Sequence, residues 1–147
     1  MIKRFREYLV NGDVRKVSRD PAEAESLLRH AEQREAHIAG KVPTEDNSTF
    51  IFEDVYDALR EAALALVALR GYKTYSHEAI IAYLREFHAL DEGDVSTLDR
   101  YRVLRNNSVY RGEFVSMDTC KEALRFLASF LPVLKKEFTR LQATGAR

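Results

Sequence analysis

A chain of 147 residues is long enough for one domain with a sizeable core and short for two. It is 46% hydrophobic and 31% charged, with only six glycines and three prolines, which excludes a collagenous, loop-rich or disordered chain and favours helices. Lysine plus arginine equals aspartate plus glutamate at 23 each, so a basic coat for nucleic acid is excluded and any such contact has to come from a local patch.

Residues 1–19 read as an N-terminal arm. An amphipathic piece from Phe5 to Val10, of one or two helical turns, gives way to the turn signal Asn11-Gly12-Asp13. The start has no apolar run of signal-peptide type, and no stretch of the chain approaches the roughly 18 apolar residues of a membrane span. The expected location is therefore the cytoplasm, with no membrane partner.

Asp20-Pro21-Ala22-Glu23 starts the first main helix: Asp20 caps, Pro21 suits the first position, and Glu23 stands where a capping-box carboxylate reaches back. Ala24, Leu27, Leu28, Ala31 and Ile38 face inward, and Gly40 supplies the stop. Asn47 or Ser48 caps the second helix, in which Phe52, Val55, Leu59, Ala62, Leu66 and Leu69 follow at alternating spacings of three and four until Gly71. Leu64 and Val67 lie off that stripe and predict burial on more than one side. After a connector at 72–75, Ser76 caps a third helix through Ile80, Ile81, Leu84 and Phe87 to about Leu90. Asp94 caps a fourth with Val95, Leu98, Tyr101 and Leu104, ended by Gly112. Ser116 caps the last, carried by Cys120, Leu124, Leu127, Leu131, Leu134, Phe138 and Leu141, with Pro132 expected to kink it and residues 143–147 to fray.

No segment alternates at the strand period. The expected fold is all-α, an up-and-down antiparallel bundle of about five helices. A second apolar row, Ala123, Phe126, Phe130 and Val133, leaves two readings open: a thicker core, or a homodimer face. Cys120, the sole cysteine, permits neither an internal disulfide nor a cysteine-rich zinc site and is read as a small core residue. The histidines His30, His37, His77 and His88 fall on three helices without a ligand motif, so no metal and no cofactor is expected. His77, beside a helix cap, reads as a capping or surface residue.

One stretch departs from ordinary core pattern. Arg100, Arg102, Arg105 and Arg111 fall within twelve residues, and Arg105-Asn106-Asn107-Ser108-Val109-Tyr110 adds two carboxamides and a tyrosine. Arg105 has two readings, an ion pair with one of the many carboxylates or a phosphate contact. Asn106 and Asn107 either cap a helix end or meet a ligand. Tyr110 is either a half-buried aromatic with a satisfied hydroxyl or a ligand contact.

These residues resemble the HEPN (higher eukaryotes and prokaryotes nucleotide-binding) family of small helical proteins, over roughly residues 20–142. The likeness is carried by the helix from Asp20 to Gly40, by Tyr56-Asp57-Ala58-Leu59-Arg60-Glu61-Ala62-Ala63 followed by Gly71 and Ser76-His77-Glu78, and most specifically by Arg105-Asn106. In that family a histidine usually follows the arginine by four to six residues, and members with both are commonly metal-independent ribonucleases acting as dimers. Here Tyr110 stands in its place, and no histidine follows His88.

A phenol with a pKa of about 10 is a poor general base at neutral pH, where imidazole at about 6.5 serves. Tyr110 keeps the ability to donate a hydrogen bond or to stack on an unpaired base. The resemblance therefore implies a non-catalytic RNA- or nucleotide-binding protein of a toxin-antitoxin or defence system, with Arg102, Arg105, Asn106, Tyr110 and Arg111 as the binding residues in a homodimer groove. Two alternatives stand beside it. One is a metal-independent ribonuclease using Arg105 and an atypical base, to be sought at Tyr110 and at His77. The other is a partner subunit of a small nucleotidyltransferase, a kind of protein with which family members are often paired.

Overall fold

The computed structural model describes residues 1–145. The chain forms α1 (Phe5–Asn11), β1 (Val14–Lys16), α2 (Pro21–Ile38), α3 (Ser48–Arg70), β2 (Tyr72–Thr74), α4 (His77–Phe87), α5 (Glu92–Arg111) and α6 (Met117–Gly145). This is an all-α bundle in which five long helices are joined by a short N-terminal helix and one pair of three-residue strands. Among the described residues no helix is long and apolar enough to cross a membrane.

α3 is the central element, packed between α2 and α6 and also touching α4, α5 and β2. Phe52, Val55, Leu59, Ala62, Leu66 and Leu69 of the expected stripe are all buried, and so is Val67 from outside it. Both faces are therefore spent inside one chain. The second row of α6 has the same fate in large part: Phe126 and Phe130 stack at 4.9 Å, and Phe126 meets the Tyr101 ring edge-on at 5.7 Å. Val133 alone of that row stands out, at 46% exposure. The thicker-core reading accounts for most of this apolar surplus.

The N-terminal segment is no free arm. Phe5 and Tyr8 are buried, each worth roughly 1.5–3 kcal/mol of apolar burial. Phe5 lies edge-on to Tyr72 at 5.2 Å and to Phe87 at 5.3 Å, and its amide donates to Glu86 Oε2 at 2.7 Å. β1 then pairs antiparallel with β2, Val14 opposite Thr74, Arg15 opposite Lys73 and Lys16 opposite Tyr72. Strands of three residues are too short to display a period of two, so periodicity does not reveal them.

Helix ends follow local chemistry with a few shifts. Asp20 Oδ1 accepts from the Glu23 amide, Ser76 Oγ from Ala79 and Ser116 Oγ from Thr119. The fourth long helix, α5, begins at Glu92 and is capped by Asp91, not Asp94, because Asp91 Oδ1 accepts the Asp94 amide at 2.8 Å. α4 stops at Phe87, before the expected Leu90, as the chain turns through a left-handed Ala89. Gly71 and Gly112 close α3 and α5 at φ 93° and 68° as expected. Gly40 is not used that way: Ala39 ends α2 in right-handed geometry, and the polar loop turns later. Asn47 precedes α3 without capping it; its side chain instead accepts the Thr44 amide at 2.7 Å. α6 runs through Pro132 and on to Gly145, so 143–145 are helical where fraying was expected, and 146–147 lie outside the described residues.

His88 is buried and tied at both nitrogens, Nδ1 to Glu137 at 2.8 Å and Nε2 to the Tyr83 hydroxyl at 2.9 Å. Tyr83 in turn donates to the Leu66 carbonyl and accepts from Arg70 Nε. This chain of polar contacts joins α3, α4 and α6. The Arg140 hydrogen bond first, with the His88 bond, holds the Glu137 carboxyl down at about 2 against burial that raises it. Burial lowers the His88 pKa against the pull of Glu137.

Two outcomes follow for folding. A carboxylate held below its unfolded pKa adds stability above about 4.5 that disappears as the pH falls toward 2. Glu137→Gln should therefore cost about 1–3 kcal/mol at pH 7, and its urea midpoint should fall less than the wild type's as the pH is lowered from 4.5 to 2. At Gly71, whose φ is 93°, a Cβ would meet the Val17 carbonyl oxygen at 3.0 Å, so Gly71→Ala should lower stability by more than about 1 kcal/mol in thermal melts.

Candidate functional site

α3 and α5 run antiparallel, so the end of one lies against the start of the other. Ser108 Oγ donates to Glu53 Oε2 at 2.5 Å, and one turn further along, Arg105 Nη2 reaches Asp57 Oδ1 at 3.8 Å. Asp57 is also within 3.6 Å of Arg60 Nη2, one turn on in its own helix. One carboxylate thus stands between two guanidinium groups at ion-pair distance without a hydrogen bond to either. Asp57 Oδ1, Arg60 Nε and Arg105 Nε are all buried with no hydrogen-bond partner among the described residues.

An arginine presents five donors in a rigid fork, and buried donors in folded proteins are nearly always met. Two guanidinium groups sharing one carboxylate keep a net positive charge and unmet N–H groups.

The cluster extends beyond this triad. Arg102, one turn before Arg105 on α5, pairs with Asp99 at 2.8 Å and lies 3.7 Å from Glu78 on α4. Glu78 also accepts from the Tyr8 hydroxyl at 3.3 Å, which ties the N-terminal helix to the rim. Tyr56, a turn before Arg60, puts its ring 5.9 Å from the Arg105 guanidinium carbon. The His77 ring stacks on Tyr56 at 5.9 Å and 24°, with Nδ1 3.2 Å from the Tyr56 hydroxyl. This phenol can donate to Nδ1 or accept from it, so the contact orients the imidazole and leaves Nε2 for other work.

Burial first, then the positive charges of Arg60 and Arg105, lower the His77 pKa; Asp57 opposes them. The imidazole is therefore neutral at pH 7 and able to take a proton. Burial raises the Tyr56 hydroxyl to about 12 despite the arginines, so it stays protonated. Behind these side chains a crevice of about 20 Å³, lined by Tyr56, Arg60, His77, Leu84 and Phe130 among others, has room for about one water. A nucleobase cannot enter it, and any ligand lies on the rim.

The expected site is thus partly assembled. Arg102 and Arg105 come together. Asn106 is half-buried on the flank of α5, Arg111 is exposed at its last turn, and Tyr110 is 76% exposed. Five residues along a helix is some 140° around the axis, so Tyr110 faces away from the side of α5 that holds Arg105. It neither replaces a base beside Arg105 nor fills the core. Tyr56, Asp57 and Arg60 are not among the expected site residues, although they stand in the motifs of the resemblance. The spacing of Tyr56 and Arg60, one turn apart on a helix otherwise rich in apolar residues, was the available signal. His77 enters the expectation only as a second place to look for an atypical base, without a position that tied it to Arg105. Among the described residues no three histidine, cysteine or carboxylate side chains are grouped to hold a metal ion.

The electrostatic assignment can be checked by nuclear magnetic resonance titration of the histidines. His77 should titrate below 6.5, Arg105→Gln should move it up and Asp57→Asn should move it further down.

No family profile, curated protein or solved structure matches the chain.

Proposed function

We propose that the protein binds a phosphate group of RNA or of a nucleotide at the cluster of Arg60, Arg102 and Arg105. The observation that carries this reading is the pair of buried Nε–H groups on Arg60 and Arg105, unmet beside a single shared carboxylate. An oxyanion docking on the rim would meet the terminal N–H groups of these guanidinium forks and balance the charge that one carboxylate leaves over. The resemblance to the HEPN family supports the same chemistry at Arg105 and would imply a toxin-antitoxin or defence setting. The exposed apolar residues of α5 and the turn after it, Val103, Val109, Tyr110 and Phe114, are the surface that the homodimer implied by the resemblance would use.

A second reading, cleavage of RNA without a metal, is favoured by one specific feature. His77 lies in the cluster with a lowered pKa, and a neutral imidazole near bound phosphate can accept the proton of a 2'-hydroxyl while arginine stabilises the charge developing on phosphorus oxygens. The base of this reading is His77, not Tyr110.

Both readings meet in one experiment. Wild-type protein, Arg105→Gln, Arg102→Gln and His77→Asn are incubated with labelled mixed RNA in chelator over a salt series, and retention and chain length are followed together. Binding that weakens about tenfold or more in Arg105→Gln, with no shortening of the RNA, is the expected result, since each charge-assisted bond contributes about 1.5–3 kcal/mol. Shortening abolished by both Arg105→Gln and His77→Asn would establish the ribonuclease. RNA and nucleotide binding absent from every form would turn attention to the partner-subunit alternative and a nucleotidyltransferase.

A further inference from the structure

The two-stranded ribbon carries a charge arrangement that its own stability does not explain. Arg15 stands directly opposite Lys73 in the β1–β2 register. Val14, one residue away, is buried, so alternation puts Arg15 and Lys73 together on the outer face. Like charges directly opposite in an antiparallel pair are destabilising. Among the described residues no carboxylate forms an ion pair with Arg15, Lys16 or Lys73. Asp13, on the same face, pairs with neither cation; its carbonyl oxygen accepts the Tyr75 amide at 2.7 Å.

Tyr75 completes the face. Its ring is 58% exposed, with the Arg15 guanidinium carbon 6.0 Å and Lys73 Nζ 5.7 Å from its centre. Only Ser76 separates it from His77, and two residues of extended chain span about 7 Å. The ribbon face and the arginine cluster are therefore neighbours along one short stretch of backbone.

We propose that Arg15, Lys73 and Tyr75 form a second contact surface for single-stranded RNA, continuous with the arginine cluster. It rests on the phosphate-binding reading above. The two cations hold backbone phosphates, and the Tyr75 ring stacks on an unpaired base of the same strand. A single exposed ring just past a three-residue strand can stack only on a base already free of pairing, which selects single strands over duplex. The cost of setting two like charges opposite each other is offset when phosphate lies between them.

The test compares a fluorescein-labelled oligouridylate, long enough to cross both surfaces, with the dinucleotide UpU, by anisotropy over a salt series. The proteins are wild type, Arg15→Gln/Lys73→Gln, Tyr75→Ala and Arg105→Gln. For the double variant the plot of log affinity against log salt should become shallower by about 1.4, two single-strand contacts at about 0.7 each. Tyr75→Ala should weaken oligouridylate binding about tenfold. UpU, held at the arginine cluster, should bind both ribbon variants as it binds wild type. The thermal midpoint of the double variant should hold or rise, because repulsion has been removed.

Wild-type affinity and salt slope in the double variant, with Arg105→Gln weakened, would overturn the ribbon surface and leave the arginine site standing. A weakened double variant beside an unaffected Arg105→Gln would sink the arginine reading and keep the ribbon. If the double variant melts early, the exchange Arg15→Lys/Lys73→Arg decides: it keeps both charges and has to bind as wild type, and a loss there refutes the proposal. Binding to phosphatidylserine vesicles with none to oligouridylate refutes it as well.

Discussion

Burial of α3 on nearly its whole circumference is the constraint from which the rest of the structure follows. A helix that lies between α2 and α6 and also touches α4 and α5 has only a narrow, half-buried strip on which to place charge. Yet it carries Glu53, Asp54, Asp57, Arg60 and Glu61. Each of these needs a partner from a neighbouring helix, because an unpaired charge in such a place costs several kcal/mol. On the α2 side the need is met in full: Arg34 donates to Glu61 at 2.9 Å and to Asp54 at 3.0 Å, and His30 also bonds Glu61. On the α5 side Ser108 meets Glu53, but Asp57, Arg60 and Arg105 are left short.

That asymmetry separates a structural network from a candidate site. Glu61 is buried and each of its oxygens is met, so its charges orient helices and present nothing to a ligand. The α5 side differs in having two cations to one carboxylate, at distances beyond hydrogen bonding. The surrounding groups fit an anion as well. Tyr56 and His77 are both neutral at pH 7, one because burial raises it and the other because burial and the arginines lower it, so neither competes for the guanidinium groups.

The N-terminal segment and the ribbon show how short elements acquire a role through what they are attached to. Three-residue strands are marginal alone. Here they are held by Phe5 and Tyr8 against α4, by the Val17 amide on the Gly71 carbonyl and by Arg19 Nε on the Leu69 carbonyl at 2.6 Å. The same attachment points carry chemistry toward the arginine cluster: Tyr8 through Glu78 to Arg102, and Tyr75 through Ser76 to His77.

Much of the fold was legible in the sequence by itself. The apolar spacing of α3, the caps at Asp20, Ser76 and Ser116, and the glycines at 71 and 112 are local rules read within a turn of the residues that obey them. Burial of Val67 off the main stripe announced that α3 would be covered on several sides. Asp91 and Asp94 have equal intrinsic capacity to cap and packing chooses between them, whereas α2 ends at Ala39 in right-handed geometry and leaves the freedom of Gly40 unused. Of the candidate site, Arg102 and Arg105 were legible because adjacent turns of one helix share a face. Tyr110 turns away from Arg105, because a position in a motif says what residue is absent without saying which way its substitute points. Only the tertiary structure could bring His77 of α4 and Arg60 of α3 to Arg105 of α5. These lie on three helices, and what decides their meeting is the antiparallel register set by the bundle's core. Local periodicity specifies which face of each helix is buried, and the packing of those faces decides which polar residues meet at their edges.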